Sequence, residues 1–136
     1  MVHERFRRIN TKGRWPNQAI DCDVSLMVRA RGRSLFLGGL TGFDLSGTFH
    51  GKGDPAAQAD QAMKNLKILV EEVGGTLEHV CKVTTYLLRR EDREPVYNTV
   101  ARHLRGVAPC GTGLIISGLA MADMLVEFDV DVVIPD

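Results

Sequence analysis

The clearest periodicity in the chain starts just after Asp54. Ala59, Ala62, Met63, Leu66, Leu69, Val70 and Val73 recur at steps of three and four, which gathers them on one face of a helix. Asp54 suits the N-cap, and Pro55 suits the first helical position, where its missing N–H costs nothing. Gly74 and Gly75 stop the helix, the first in a left-handed C-cap. A second helix is expected from Asp92 or Arg93, because Pro95 is tolerated only in a first turn. Its buried stripe is Val96, Val100 and Leu104, Gly106 ends it, and His103 should sit on the surface near its end. Elsewhere the period is two. From Val80 to Leu88, Val83, Thr85 and Leu87 face one way and Lys82, Thr84, Tyr86 and Leu88 the other. The last quarter adds strand-like stretches at Leu114 to Ser117 and Leu125 to Ile134. In the second of these Val126, Phe128, Val130 and Val132 alternate with Glu127, Asp129 and Asp131. Those carboxylates need solvent, a partner chain or a ligand, since burying a charge unpaired is very costly.

The first fifty residues are less regular. Residues 1 to 14 carry Arg5, Arg7, Arg8, Lys12 and Arg14 against one acid, Glu4, and read as an edge strand with solvated arginines. An RNA-contacting arm is the other reading. Trp15-Pro16-Asn17 signals a turn. Val24 to Ala30 and Ser34 to Gly39 read as two strands of a hairpin closed by Arg31-Gly32-Arg33. Leu35, Phe36 and Leu37 are contiguous and apolar, which suggests cover on both faces. Gly38, Gly39 and Gly42 then allow close backbone approach, to a ligand or to another chain. The stretch GTFHGKGD lacks the ending of a phosphate loop and reads as a plain loop. The order strand, strand, strand, helix, strand, helix, strand, strand implies an α+β domain, with both helices on one face of one mixed sheet.

Composition narrows the function classes. At 136 residues, 44% hydrophobic and 25% charged, the chain is one ordinary globular domain spanning residues 1–136. Seventeen basic residues balance seventeen acidic ones, which argues against a nucleic-acid partner or an anionic membrane. No apolar run approaches the roughly 18 residues of a membrane span, and the charged N-terminus lacks a signal-peptide core. A cytoplasmic protein is the default. Cys22, Cys81 and Cys110 are odd in number and show no CxxC pairing, as expected of reduced thiols. Four histidines without zinc-site spacing leave no metal site and no cofactor expected.

Several stretches together resemble the RidA/YjgF family, also called L-PSP or endoribonuclease-like proteins. They are the helix ending in Gly-Gly, the strand VCKVTTYL with its acidic turn, and the terminal VEF run. The similarity spans roughly Val24 to Pro135. From Pro109 the family's terminal signature continues through Leu114, Ser117, Leu119, Val126 and Glu127; Ser25 and Val28 look like its PYSxAV element. The resemblance implies a chorismate-mutase-like α+β fold and a homotrimer with small-molecule clefts between subunits. It also implies departures. The arginine that holds a substrate carboxylate in the imine-hydrolysing members falls on Gly111, and the family's tyrosine falls on Val24. The helix-two asparagine falls on Tyr97, or on Asn98 with a one-residue offset, and the glutamine after SG is Leu40. Gly39 and Glu127 are retained.

Glu127 is thus the candidate general base, provided partial burial raises its pKa. Gly39, Tyr97, Cys110, Gly111 and Thr112 are the ligand-binding candidates. Cys110 has no histidine near it in sequence and precedes a small-residue turn, so a nucleophilic role lacks its activating base. No residue near position 111 supplies a holding charge; Arg29, Lys82 and Arg102 from a neighbouring subunit are the substitutes to consider. The sequence therefore points to hydrolysis or deamination of a carbon–nitrogen bond by something other than an ordinary 2-imino-acid deaminase. A non-catalytic sensing or interaction protein is the alternative. Endoribonuclease or translation-inhibitor activity is a third.

Overall fold

The chain begins as a ribbon and closes as a sheet. The computed structural model describes residues 3–14 and 19–136, so the expected turn at Trp15-Pro16-Asn17 lies outside the described residues. In order, the elements are β1 (Glu4–Asn10), β2 (Asp23–Arg29), β3 (Arg33–Leu35), α1 (Pro55–Glu72), β4 (Val80–Leu87), α2 (Arg93–His103), β5 (Cys110–Ile115) and β6 (Val126–Ile134). Strands β3-β6-β4-β5 form a four-stranded mixed sheet, and β1 pairs with β2 alone. The β4–β5 pair is parallel, as the crossover through α2 requires; the other pairs are antiparallel. None of the helices of the described residues is long and apolar enough to cross a membrane.

Both helices cover one face of the four-stranded sheet. Ala59, Ala62, Met63, Leu66 and Val70 of α1 and Val96 and Val100 of α2 meet Val80, Val83, Leu87, Val126, Phe128, Val130 and Val132 in one buried cluster. Asp54 caps α1 by accepting the Ala57 N–H at 3.1 Å. At the other end Gly74 (φ 83°) turns the chain, and the N–H groups of Gly74 and Gly75 donate back to the carbonyls of Glu71 and Val70. Two polar residues interrupt the apolar face. Gln58 donates to the carbonyls of Gly51 and Asp123 and accepts the Leu125 N–H, while Asn65 donates to the Phe43 carbonyl. Fully satisfied in this way, they fasten two long loops to the helix. Residues 47–54, read as a plain loop, contain no helix or strand.

Seven expectations need correction. Strands β2 and β3 do not form a hairpin: β2 pairs with β1, and β3 pairs with the edge of β6, Arg33 opposite Ile134. Gly32 (φ 146°) makes that departure possible, because a Cβ there would collide with the Ile134 carbonyl. The single sheet is divided, and the ribbon is stitched to the body by side chains. Ser25 Oγ donates to the Ala108 carbonyl at 2.6 Å, and the Ser25 N–H donates to the Pro109 carbonyl at 3.2 Å. Arg5 is not a solvated edge residue, since its guanidinium donates to the carbonyls of Ala108, Glu78 and Val80. Cys110 to Gly113 is not a turn but the first part of β5, where pairing to β4 overrides the local glycine preference. Phe36 is uncovered, 92% exposed, whereas Leu35 and Leu37 pack on the core; Val73 is also half exposed. His103 is half-buried, its Nε2 2.7 Å from Asp60 Oδ1, which ties α2 to α1.

Candidate functional site

A cavity of about 470 Å³ lies between α2, β2 and β5. It opens beside the place where the ribbon meets the residues just before β5, the Ser25 N–H on the Pro109 carbonyl and Ser25 Oγ on the Ala108 carbonyl. One side of α2 lines it with Arg93, Tyr97 and Ala101, four residues apart, with Val100 beside them, and Leu104 and Arg105 continue the wall just past the helix end. The opposite wall is β5. Register pairs Gly111 with Val83 and Gly113 with Thr85, so both glycines face the helices, and neither has a side chain to fill the space.

Those glycines are not equivalent. A Cβ on Gly113 would collide with the Tyr97 hydroxyl, so the phenol rests directly on the strand. A Cβ on Gly111 would meet nothing nearer than the Val83 carbonyl at 4.0 Å. A side chain at 111 therefore has room, and its absence leaves cavity rather than relieving a clash. Tyr97 is half-buried, and burial pushes its phenol up, opposed by the adjacent Arg93, whose guanidinium lies 5.5 Å from the ring centroid. Cys22 also lines the cavity. Its thiol donates to the Tyr97 carbonyl at 3.3 Å and is pushed up to about 11, mainly by burial and then by Asp21, with Arg105 opposing. Held neutral, it is a wall and not a nucleophile.

Glu127 stands elsewhere. It lies opposite Tyr86 on β6, on the sheet face shared with Lys82, Thr84 and Asp129, whereas the cavity is lined by Val83 and Thr85 of the other face. There it is half-buried against Gly39, where a Cβ would collide with its carboxylate. The six candidates thus separate into two groups. Tyr97 and Gly111 meet at the cavity with the backbone of Cys110 and Thr112, whose positions in register with Lys82 and Thr84 turn their side chains to the other face. Gly39 and Glu127 meet on the open face. One chain does not bring the two groups together.

Residues 22–134 match the family model described as Endoribonuclease L-PSP. The chain belongs to this family, the RidA/YjgF family. Solved structures of similar fold include a conserved Rid-family protein of unknown function, YyfB, from Yersinia pestis: 22% identical, covering 98% of this chain and 100% of that one, TM-score 0.81. A member of the YjgF/YER057c/UK114 family from Mycobacterium tuberculosis is 20% identical over 97% of this chain and 99% of its own, TM-score 0.67. RidA from the Antarctic bacterium Psychrobacter is 24% identical over 81% and 87%, TM-score 0.68. These likenesses establish the fold. No curated protein matches.

Where the sequence of this RidA/YjgF chain offers no obvious charge near position 111, the fold brings two guanidiniums to the same cavity. Arg93 and Arg105 both line the cavity, and neither has a carboxylate within ion-pair distance among the described residues. The cations considered from a neighbouring subunit stand away from the cavity of their own chain. Arg29 is exposed and paired with Glu4 at 2.7 Å, Lys82 lies on the open face opposite Asp131, and Arg102 is exposed. A sequence signal did exist for the missed pair. Arg93, Tyr97, Ala101 and Arg105 recur every four residues, a stripe beside the buried one and therefore at the edge of the helix–sheet interface.

Proposed function

We propose that the chain works as a homotrimer that binds a small organic ligand in clefts between subunits and hydrolyses or deaminates a carbon–nitrogen bond in it. Glu127 is the general base. Water adds to the C=N carbon as Glu127 takes its proton and passes it to the nitrogen; Glu127 then takes the hydroxyl proton of the adduct and returns it to the amine, and the C–N bond breaks to release ammonia and a carbonyl. One observation carries this reading: the cavity and the Glu127–Gly39 pair occupy opposite faces of the same sheet. The cavity offers volume and cations but no carboxylate base other than Asp23, which Asn10 engages at 2.9 Å. A neighbouring copy that lays its open face over the cavity supplies the acid. Exposed Phe36 and Leu114 are apolar surface that such packing would cover. The free cysteines suit a reducing compartment, in keeping with a cytoplasmic site.

The test is ammonia release from a panel of enzymatically generated imines, with semicarbazide trapping as the control, by the wild type and by Glu127→Gln. Turnover that Glu127→Gln removes, in a protein that sediments as a trimer, is the expected result. Turnover unchanged by Glu127→Gln, or a monomer that turns over, overturns it. Ligand binding without turnover in the wild type would favour the sensing reading instead. RNA cleavage, which the family description raises, finds no support in a chain whose basic and acidic residues balance at seventeen each.

A further inference from the structure

The cavity is longer and more apolar than a small imino acid needs. Its wall runs along α2 from Arg93 to Ala101, eight residues on and so about 12 Å along the axis, and continues past the helix end to Leu104 and Arg105. Between these ends the lining is mainly apolar, with Ile20, Val24, Val83, Val100 and Leu104, and carries the hydroxyls of Tyr97 and Thr85. Three other polar side chains of the lining are already occupied: Thr11 Oγ1 donates to the Ile20 carbonyl, Ser25 Oγ to the Ala108 carbonyl, and the Cys22 thiol to the Tyr97 carbonyl. A ligand lying along the middle therefore meets mainly apolar surface, with the Tyr97 and Thr85 hydroxyls as its polar points, and a largely apolar body keeps the desolvation cost there small. Three-carbon imino acids would leave most of the 470 Å³ as water against hydrocarbon.

The charged groups are at the ends. Arg93 is committed to the Tyr97 ring at 5.5 Å. Asp23 accepts from the Asn10 amide at 2.9 Å. Arg105 has no hydrogen bond, ion pair or ring contact among the described residues, although it lines the cavity beside Cys22. Resting on the proposed role of this cavity as the ligand site, we infer that it accommodates an elongated apolar acid, its chain along α2 and its carboxylate on Arg105. The guanidinium missing at Gly111 is thus supplied from the turn just beyond α2, which reverses the ligand and lengthens what the cleft accepts.

Calorimetric titration of the intact protein with sodium butyrate, octanoate and dodecanoate, and with octan-1-ol, tests this. Affinity should rise with chain length, by about fourfold per buried methylene. Octanoate should bind at least about tenfold more tightly than octan-1-ol, the contribution of a charge-assisted contact. Arg105→Met should erase that acid preference while octan-1-ol still binds, and Arg102→Met, on the exposed side, should keep it. Butyrate binding as tightly as octanoate, an alcohol as tight as the acid, or a preference that survives Arg105→Met would each overturn the inference. Binding is read without turnover, so failure here is separable from failure of the proposed hydrolysis. Chain-length dependence without ammonia release removes only the hydrolysis; ammonia release without acid preference removes only this ligand class.

Discussion

The Tyr97 hydroxyl lies over the backbone of Gly113, in the volume that any β-carbon at that position would need. The contact fixes the tilt of the phenol and hence the height of the cavity between α2 and β5. Gly113→Ala should displace Tyr97 and destabilise the protein by about 1–3 kcal/mol, the usual cost of overpacking. Tyr97→Phe, which removes the colliding oxygen, should recover most of that loss in the double variant. Urea denaturation of the four proteins gives the coupling energy; strict additivity would contradict the geometry.

Position 111 behaves differently, because nothing crowds it. Gly111→Arg should leave stability within about 0.5 kcal/mol of wild type. A guanidinium in the middle of the cavity should also raise ammonia release from short imino acids by about ten- to a hundredfold, the equivalent of about 1.5–3 kcal/mol of charged hydrogen bonding. A folded variant with no such gain would show that the retained Glu127 does not serve this cavity.

Arg5 is the staple between the ribbon and the sheet. Its bonds to the carbonyls of Glu78 and Val80 are 2.8 and 2.9 Å, with a longer one of 3.3 Å to Ala108. Arg5→Met should cost about 2 kcal/mol and speed amide exchange in residues 4–10 before the rest of the chain. Uniform loss of protection across both sheets would mean that the ribbon and body unfold as one unit.

Acid should loosen the loop after β3. The Asp44 carboxyl is held down to about 2, first by its hydrogen bond with His50 and then by the backbone N–H groups of Thr48 and Ser46. Its folded value lies below the ordinary 3.8, so the unfolded chain takes up the proton more readily. The stabilisation is complete above that ordinary value and is lost as pH falls toward 2. Wild type and Asp44→Asn should therefore differ in urea midpoint at about pH 5 and converge near pH 2. A constant difference over that range would rule out Asp44 as the titrating group.

The sequence was most legible where structure is local. Asp54, Pro55, Gly74 and the apolar spacing between them defined α1, and Pro95 with Val96 and Val100 defined α2. Alternation gave the buried face of β6 from Val126 to Val132. Strand partners were not legible, because pairing is decided far away. Arg33 joins Ile134 a hundred residues on, and no turn residue near Gly32 signals that. Glycine-rich Cys110 to Gly113 read as a turn for the same reason, since the ladder to β4 supplies what local propensity lacks. At the site, the family's motif positions found Tyr97 and Gly111. They could not show that Glu127 faces away from them, which depends on the register of β4 between the two strands.

That back-to-back placement has a genetic consequence. A chain with Glu127→Gln keeps its cavity intact, and a chain whose cavity is plugged at Gly113 keeps its acid. On the proposed function each should be defective in a pure preparation, yet in mixed assemblies a sound hollow from one parent would face a sound carboxylate from the other. Co-expressing the two should restore part of the turnover neither has alone, in proportion to the statistics of subunit mixing.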